Sequence, residues 1–435
     1  MPTLAPITET PAPAARTPAP ATKTPAPEHR PAVDDRGPRP PEPAGAGAAA
    51  ARVAAEAAMA GRLLGRVGPA GGPVLVCVAG LHGNEPAGVV GLARVIERLQ
   101  SDPGGLRGEL VGLLGNRCAL VEGKRYLRRD LNRMWQPERL RRLRAGGAPE
   151  GPEEDELRDL DRELAPLLAA AAEGRLHALD LHTTSAPGPA FAVLDDTLAN
   201  RAFALGLGVP LVLGLEEELD GPLLHYLVDR GAVAASFESG QHQDPAAVDA
   251  AEAAVWLALE ASGVLAPGSR PEPVAALRRL AAGAARLPRV TEVIYRHAIA
   301  PGDGFAMAPG FLGFEPVAAG EALGLDRGGT VTAPRRGRLL MPLYQSQGED
   351  GYFLVRDVRP MWLRLSTLLR WIRLERWLHL LPGVRRHPER PGSYVVDRRV
   401  ARWYALEVFH LLGFRRHGGA GRKVVVSRRV ESGPW

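Results

Sequence analysis

Cysteine is almost missing from this chain: Cys77 and Cys118 are the only two. Two thiols cannot build a disulfide framework or a four-cysteine zinc site, and they fit a reducing, cytoplasmic setting. Each reads most simply as a small core hydrophobe. No stretch reaches the roughly 18 to 20 uninterrupted apolar residues of a membrane-spanning helix, so an integral membrane protein is not expected. The first 30 residues lack the apolar core of a secretory signal. Lysine is scarce as well, with only Lys23, Lys124 and Lys423 among 54 basic residues. Beside abundant alanine, 50 glycines and 40 prolines, this looks like a coding bias. A single arginine therefore carries no weight as a sign of anion binding.

What is present is ordinary in bulk and uneven along the chain. The 435 residues correspond to two or three folded units at about 150 residues each. A hydrophobic fraction of 45% and a charged fraction of 24% are those of a globular protein. The net charge of +5 conceals a C-terminal excess: residues 356–435 carry 17 Arg and one Lys against six acids, a net +12. Residues 1–50 hold 13 prolines and no aromatic residue. Such a segment cannot bury enough apolar surface to offset its conformational entropy, and disorder with extended Pro-rich character is expected. The alanine-rich stretch 47–60 is a candidate helix. Met59 is a candidate natural start, because globular sequence follows it directly.

From residue 61 the texture changes. Pro73–Ala79 is a continuous, β-branched apolar run between Gly72 and Gly80, which reads as a strand buried on both faces. Helical spacing follows over 87–100, then strands at 109–115, 175–181, 190–194, 209–213 and 232–237. Helical stretches lie between and after them, at 153–173, 198–207, 221–230 and 245–262. This alternation predicts an α/β domain with a mostly parallel sheet over 61–265. A Pro/Gly-punctuated linker is expected at 266–285, then a small β-rich domain at 286–355 with strands such as Val290–His297 and Gly337–Leu340. A basic α+β extension completes the chain at 356–435, with helical stretches at 361–381 and 399–413 and strands at 393–397 and 423–427.

Four segments carry candidate chemistry. Gly80-Leu-His-Gly-Asn-Glu-Pro86 follows the first buried strand and places His82 and Glu85 three residues apart in a glycine-containing loop. Ligands of open α/β sheets bind beyond the carboxyl ends of strands, although His-x-x-Glu alone also arises by chance. Asp180-Leu-His182-Thr puts a second histidine at a strand end. His82, Glu85 and His182 match the three nitrogen and oxygen ligands of a catalytic zinc site, with Asp180 on the same strand face to orient one of them. Ser236-Phe-Glu238-Ser-Gly-Gln241 ends another apolar strand, where a carboxylate can act as general base toward a zinc-activated water. Finally, Arg125-Tyr-Leu-Arg-Arg-Asp-Leu-Asn132-Arg133 offers guanidinium forks and an amide for carboxylates. The bland readings stay open at this point: a core histidine, a solvated loop glutamate, surface arginines.

In this order the motifs His-Gly-Asn-Glu, Arg-Tyr-x-x-x-Asp-Leu-Asn-Arg, Asp-Leu-His-x-Thr and Glu-x-Gly-Gln resemble the succinylglutamate desuccinylase and aspartoacylase family. These are zinc-dependent deacylases related to metallocarboxypeptidases, and the resemblance covers roughly 61–355. Met307–Phe311 and Met341–Phe353 look like the family's β domain. The resemblance implies a three-layer α/β/α fold and zinc held by His82, Glu85 and His182. It further implies Glu238 as general base, with Arg125, Asn132 and Arg133 binding substrate carboxylates and polarising the carbonyl. Tyr352 stands where the family's β domain can place a substrate-contacting tyrosine. An arginine that some members supply shortly before the base has no clean counterpart; Arg230 is a candidate. The implied substrate is a small N-acyl amino acid or related amide, with an ester less favoured.

Two other readings are kept. One is a metallocarboxypeptidase acting on peptides, the other a non-catalytic module using the basic tail for membrane or nucleic acid. Residues 361–381 carry Trp362, Trp371 and Trp377 among leucines and arginines. They suit either an anionic membrane interface or, as favoured here, packing of the apolar side on the catalytic domain. No nucleic-acid-binding signature is legible in the tail, so a nucleic-acid partner is not expected.

Overall fold

The computed structural model describes residues 45–388, 392–397, 400, 409, 411–417 and 423–429. The expected disorder of the Pro-rich N-terminus, up to residue 44, and most of the expected helix at 399–413 lie outside these residues. Helix Gly45–Ala60 covers the alanine-rich stretch and buries Ala54 and Ala58.

The strands, in chain order, are β1 (Leu63–Val67), β2 (Val74–Ala79), β3 (Glu109–Leu114), β4 (Leu176–Thr184), β5 (Phe191–Val193) and β6 (Leu211–Leu213). They continue with β7 (Val233–Gln241), β8 (Val290–Ala298), β9 (Ala306–Met307), β10 (Pro316–Val317), β11 (Ala322–Asp326) and β12 (Gly329–Thr332). The last are β13 (Gly337–Leu340), β14 (Asp350–Asp357), β15 (Val384–Arg386), β16 (Ser393–Asp397), β17 (Phe414–His417) and β18 (Lys423–Arg428). One eleven-stranded sheet runs in the order β1-β3-β2-β4-β7-β5-β6-β8-β14-β13-β10. Its centre, β3-β2-β4-β7, is parallel.

Strand periodicity explains the layers. Leu75, Cys77 and Ala79 of β2 enter one core, and Val74, Val76 and Val78 enter another. Successive side chains point to opposite faces, so an all-apolar strand demands cover on both. Helices Ala87–Ser101 and Pro245–Ala261 cover the first face through Val89, Leu92, Val95, Ala254 and Val255. Helices Pro152–Leu164 and Leu223–Asp229 cover the second through Leu157, Leu160, Leu223 and Leu227. The result is the three-layer α/β/α architecture with a mostly parallel centre.

Three expectations change. The segment 266–285 is largely helix Glu272–Ala284, which buries Pro273, Ala276 and Leu280. Proline in a first helical turn gives up only an N–H that has no partner there, so Pro273 opens this helix and does not break it. Beyond it, β8 pairs in parallel with β6, so the β-rich segment extends the central sheet. Cys77 is fully buried as read, whereas Cys118 is exposed on the short helix Arg117–Glu122.

The C-terminal extension forms its own antiparallel sheet, β15-β16-β18-β17, around Tyr394, Val396, Phe409, Phe414 and Val426. Helix Pro360–Trp371 ties it to the α/β unit through Arg370, whose Nη2 lies 2.8 Å from Asp196 Oδ2. The favoured inward packing holds only in part: Leu363 packs on the α/β core and Leu369 on that of the extension, while the tryptophans stay outside. Trp371 and Trp377 are 75% and 63% exposed, and Leu368, Ile372 and Leu380 join them at the surface. The buried side of this helix is supplied by Ser366 and Arg370, which are anchored by polar contacts. Among the described residues no helix is long and apolar enough to cross a membrane.

Candidate metal centre and active site

The loop after β2 turns sharply enough to bring His82 and Glu85 together. Gly83 makes this approach possible: a Cβ there would lie 2.0 Å from the Ala119 carbonyl carbon. His182 arrives from β4, which runs three residues further than expected, to Thr184. One nitrogen of each imidazole and one Glu85 oxygen fall within 4.8 Å of one another. His82 Nδ1 lies 2.8 Å from Glu85 Oε1, and His182 Nδ1 lies 3.1 Å from Glu85 Oε2. All three residues are buried.

The far side of each ring meets a second carboxylate. His82 Nε2 lies 3.1 Å from Asp130 Oδ1, and His182 Nε2 lies 2.8 Å from Asp180 Oδ2. A proton on each Nε2 satisfies these carboxylates and leaves both Nδ1 lone pairs turned toward Glu85. That is the tautomer and orientation a divalent cation requires, and outer carboxylates are its usual support. The donor set of two imidazoles and a carboxylate suits zinc. Asp130 lies within the arginine motif, and its role becomes visible only in the fold, where it meets both His82 and Arg125. It also caps its own turn, accepting from Asn132 N at 2.8 Å.

Glu238 lines the same cavity from β7, where it is the register partner of His182. Its Oε2 is buried and bonded to nothing. Burial, with Glu85 and Asp180 close by, pushes its carboxyl up to about 8 against the pull of His182 and Arg125. A carboxyl of that kind suits proton transfer near neutral pH.

The arginine segment is only partly free. Arg125 spends both Nη atoms, on Glu85 Oε1 at 3.3 Å and on Asp130 Oδ2 at 3.2 Å, and keeps an unbonded Nε. Asn132 accepts from Leu223 N through Oδ1 at 2.9 Å. Arg133 reaches Asp350 Oδ2 at 3.5 Å, and all three residues line the cavity. Two adjoining hollows of about 70 Å³ each share Arg125, Arg133 and Thr183. Met341, Gln345 and Asp350 from the β-rich segment wall the outer one. A larger cavity of about 370 Å³ lies elsewhere, between Arg201 and Trp362.

Two candidates are not brought to the site. Tyr352 is fully buried in the β-rich core and stacks on His297 at 5.0 Å between ring centroids. Its neighbour Phe353 faces the hollow instead. Arg230 ends helix Leu223–Asp229 and sits over the Tyr226 ring at 4.7 Å. Two residues with no earlier role do belong to the site: Glu216 lines the inner hollow, and His242 Nδ1 lies 2.7 Å from Thr183 Oγ1 behind it.

Residues 71–255 match the family described as the succinylglutamate desuccinylase/aspartoacylase catalytic domain. The matched residues are similar to that catalytic domain and make up less than half of the chain. Within the chain is a stretch of 109 residues that is 35% identical to succinylglutamate desuccinylase of Serratia proteamaculans (strain 568). That match spans 25% of this chain and 31% of the relative, so about a third of the curated protein's length is covered. The crystal structure of a succinylglutamate desuccinylase/aspartoacylase from Rhodobacter sphaeroides is similar with a TM-score of 0.51 at 20% identity. It covers 68% of this chain and 88% of that one, a likeness of fold. The matched residues hold the His82, Glu85, His182 and Glu238 cluster, with the β-rich segment along the rim of the site.

Proposed function

We propose that this protein is a zinc-dependent deacylase that hydrolyses the amide of a small N-acyl amino acid. The observation that carries this reading is the convergence of His82, Glu85 and His182 beside Glu238, whose Oε2 is buried without a partner. Zinc held by His82, Glu85 and His182 would supply a Lewis acid and a water acidified to a pKa of about 7. Glu238 takes the proton of the attacking water and returns it to the leaving nitrogen. Arg133 and the free Nε of Arg125 hold the substrate carboxylate and the carbonyl oxygen, stabilising charge that develops during attack. Asp130 and Asp180 keep the imidazoles in place.

The narrow hollows favour a small substrate over a peptide, since Met341, Gln345 and Asp350 crowd the rim. Elemental analysis of purified protein, paired with a hydrolysis screen of N-acyl amino acids and peptides, tests the reading. Stoichiometric zinc with turnover of the acyl amino acids is the expected result. Peptide turnover alone would point to a carboxypeptidase, and no turnover of either would remove the deacylase.

For the extension, the exposed Trp371, Ile372, Trp377 and Leu380 favour contact with an anionic membrane surface. Arg364, Arg373 and Arg376 are exposed on the same segment and make no ion pair among the described residues. Aromatic and aliphatic residues with solvated arginines suit a headgroup interface, while the like charges oppose pairing of two copies through this face.

A further inference from the structure

The cavity that contains His182 and Glu238 also runs past Val193 and Ser236 to Glu216. Glu216 is 5% exposed, and its Oε2 is buried without a partner. Its other oxygen, Oε1, accepts from Arg429 Nη2 at 2.8 Å. Arg429 comes from the far end of the chain and is itself 2% exposed; its Nε donates to Asp195 Oδ1 at 2.6 Å. The C-terminal extension therefore buttresses a residue of the pocket wall from behind.

Behind that wall, arginines and carboxylates of the α/β unit and the extension meet. Arg201 and Arg370 both engage Asp196. Arg415 and Arg429 face Asp195, Asp229, Glu216 and Glu217. Asp195, Glu216 and Glu217 all contact Arg429, and Glu216 is the member that lines this cavity. Burial, opposed by Arg429 but reinforced by Asp195 and Glu217, pushes Glu216 up to about 8. A cation at its free oxygen would stabilise the ionised carboxylate, whereas a second substrate carboxylate would find no cation there.

Building on the deacylase reading, we propose that Glu216, positioned by Arg429, makes the pocket prefer N-acyl amino acids bearing an ammonium group over dicarboxylic ones. The α-carboxylate goes to Arg133, and the ammonium group, on the side chain or on the acyl chain, goes to Glu216.

The test uses the zinc-loaded full chain and kcat/KM for four probes. These are Nα-acetylornithine, N-(4-aminobutanoyl)norvaline, Nα-acetylnorvaline and N-acetylglutamate. One of the two ammonium probes should exceed the glutamate derivative by about 100-fold, the scale of a desolvated charge pair gained against one opposed. Whichever leads identifies the side of the substrate that carries the charge. Glu216→Gln should bring that preference down to within about tenfold. Arg429→Gln should raise KM for the leading probe more than it lowers kcat, with Arg429→Lys restoring part of the difference. Calorimetric titration of the metal-free chain should show tighter binding of the product that carries the leading probe's ammonium group, ornithine or 4-aminobutanoate, than of glutamate, a readout independent of turnover. Preference for N-acetylglutamate, or indifference among the probes, overturns the inference while leaving the deacylase intact. Turnover of none removes the deacylase, and the inference with it. The wild-type order decides even if a variant fails to fold.

Discussion

His182 and Glu238 are register partners on the adjacent parallel strands β4 and β7. Neighbouring strands lie about 4.8 Å apart and partners present their side chains to the same face. One hydrogen-bonded ladder therefore holds a metal-ligand candidate and the candidate base side by side. Their spacing is a property of the sheet and needs no flexible loop to maintain it.

The metal centre makes the first prediction. His182→Ala removes one of three ligands, and zinc measured by elemental analysis should fall from about one per chain to a small fraction. Asp130→Asn keeps the ligands but loosens the His82 ring and the Arg125 fork, and zinc affinity should drop about 10- to 100-fold. Unchanged zinc in His182→Ala would remove the site.

Glu238→Gln should separate binding from chemistry. Zinc content should match the wild type, while kcat on the best N-acyl substrate falls by about 100- to 10,000-fold, the range for a lost acid-base group. Full activity in this variant would require another base.

Gly83→Ala tests the loop geometry. The new methyl group would strike the Ala119 backbone, so the loop carrying His82 and Glu85 must shift. Zinc binding should weaken although no ligand is changed. An unaltered affinity would show that the loop has slack.

His177 gives the protein a pH-dependent stability. Burial in β4 pushes its imidazole down from 6.5 to about 4. Between those values the unfolded chain binds more protons than the folded one, so stability is complete above about pH 6.5 and declines as pH falls toward 4. The histidine's own contribution to the slope should approach about 1.4 kcal/mol per pH unit. Urea denaturation at pH 7 and pH 5 measures it, and His177→Leu should flatten the difference. Parallel curves for both proteins would discount the histidine.

The membrane face is checked by vesicle sedimentation. The full chain should bind phosphatidylglycerol vesicles at low salt, bind phosphatidylcholine weakly, and dissociate as salt screens the arginines. Replacing Trp371 and Trp377 by alanine should weaken binding at least about tenfold. Equal binding to both lipids, or concentration-dependent dimerisation without vesicle binding, would exclude this surface as an anionic-membrane contact.

Local chemistry made His82, Glu85, His182 and Glu238 legible in the sequence, because each stands at the end of an apolar strand in a short run of unusual composition. Alternating burial made the sheet and its two covering layers legible for a similar reason. Tyr352 misled because strand parity decides orientation: a shift of one residue puts Phe353, and not Tyr352, on the pocket side. Arg125 was recognised, but its engagement with Glu85 and Asp130 depended on a loop that only the folded chain closes.

What the sequence by itself determined was the inventory of ligands, base and buried strands, since nearest neighbours along the chain dictate pattern and local turn. Tertiary structure alone decided which charges meet. Glu216 and Arg429 are 213 residues apart and join only when the extension docks. The exposure of Trp371 likewise follows from Arg370 and Ser366 anchoring its helix by polar contacts. Burial and long-range electrostatics are properties of the assembled molecule, and no reading of adjacent residues contains them.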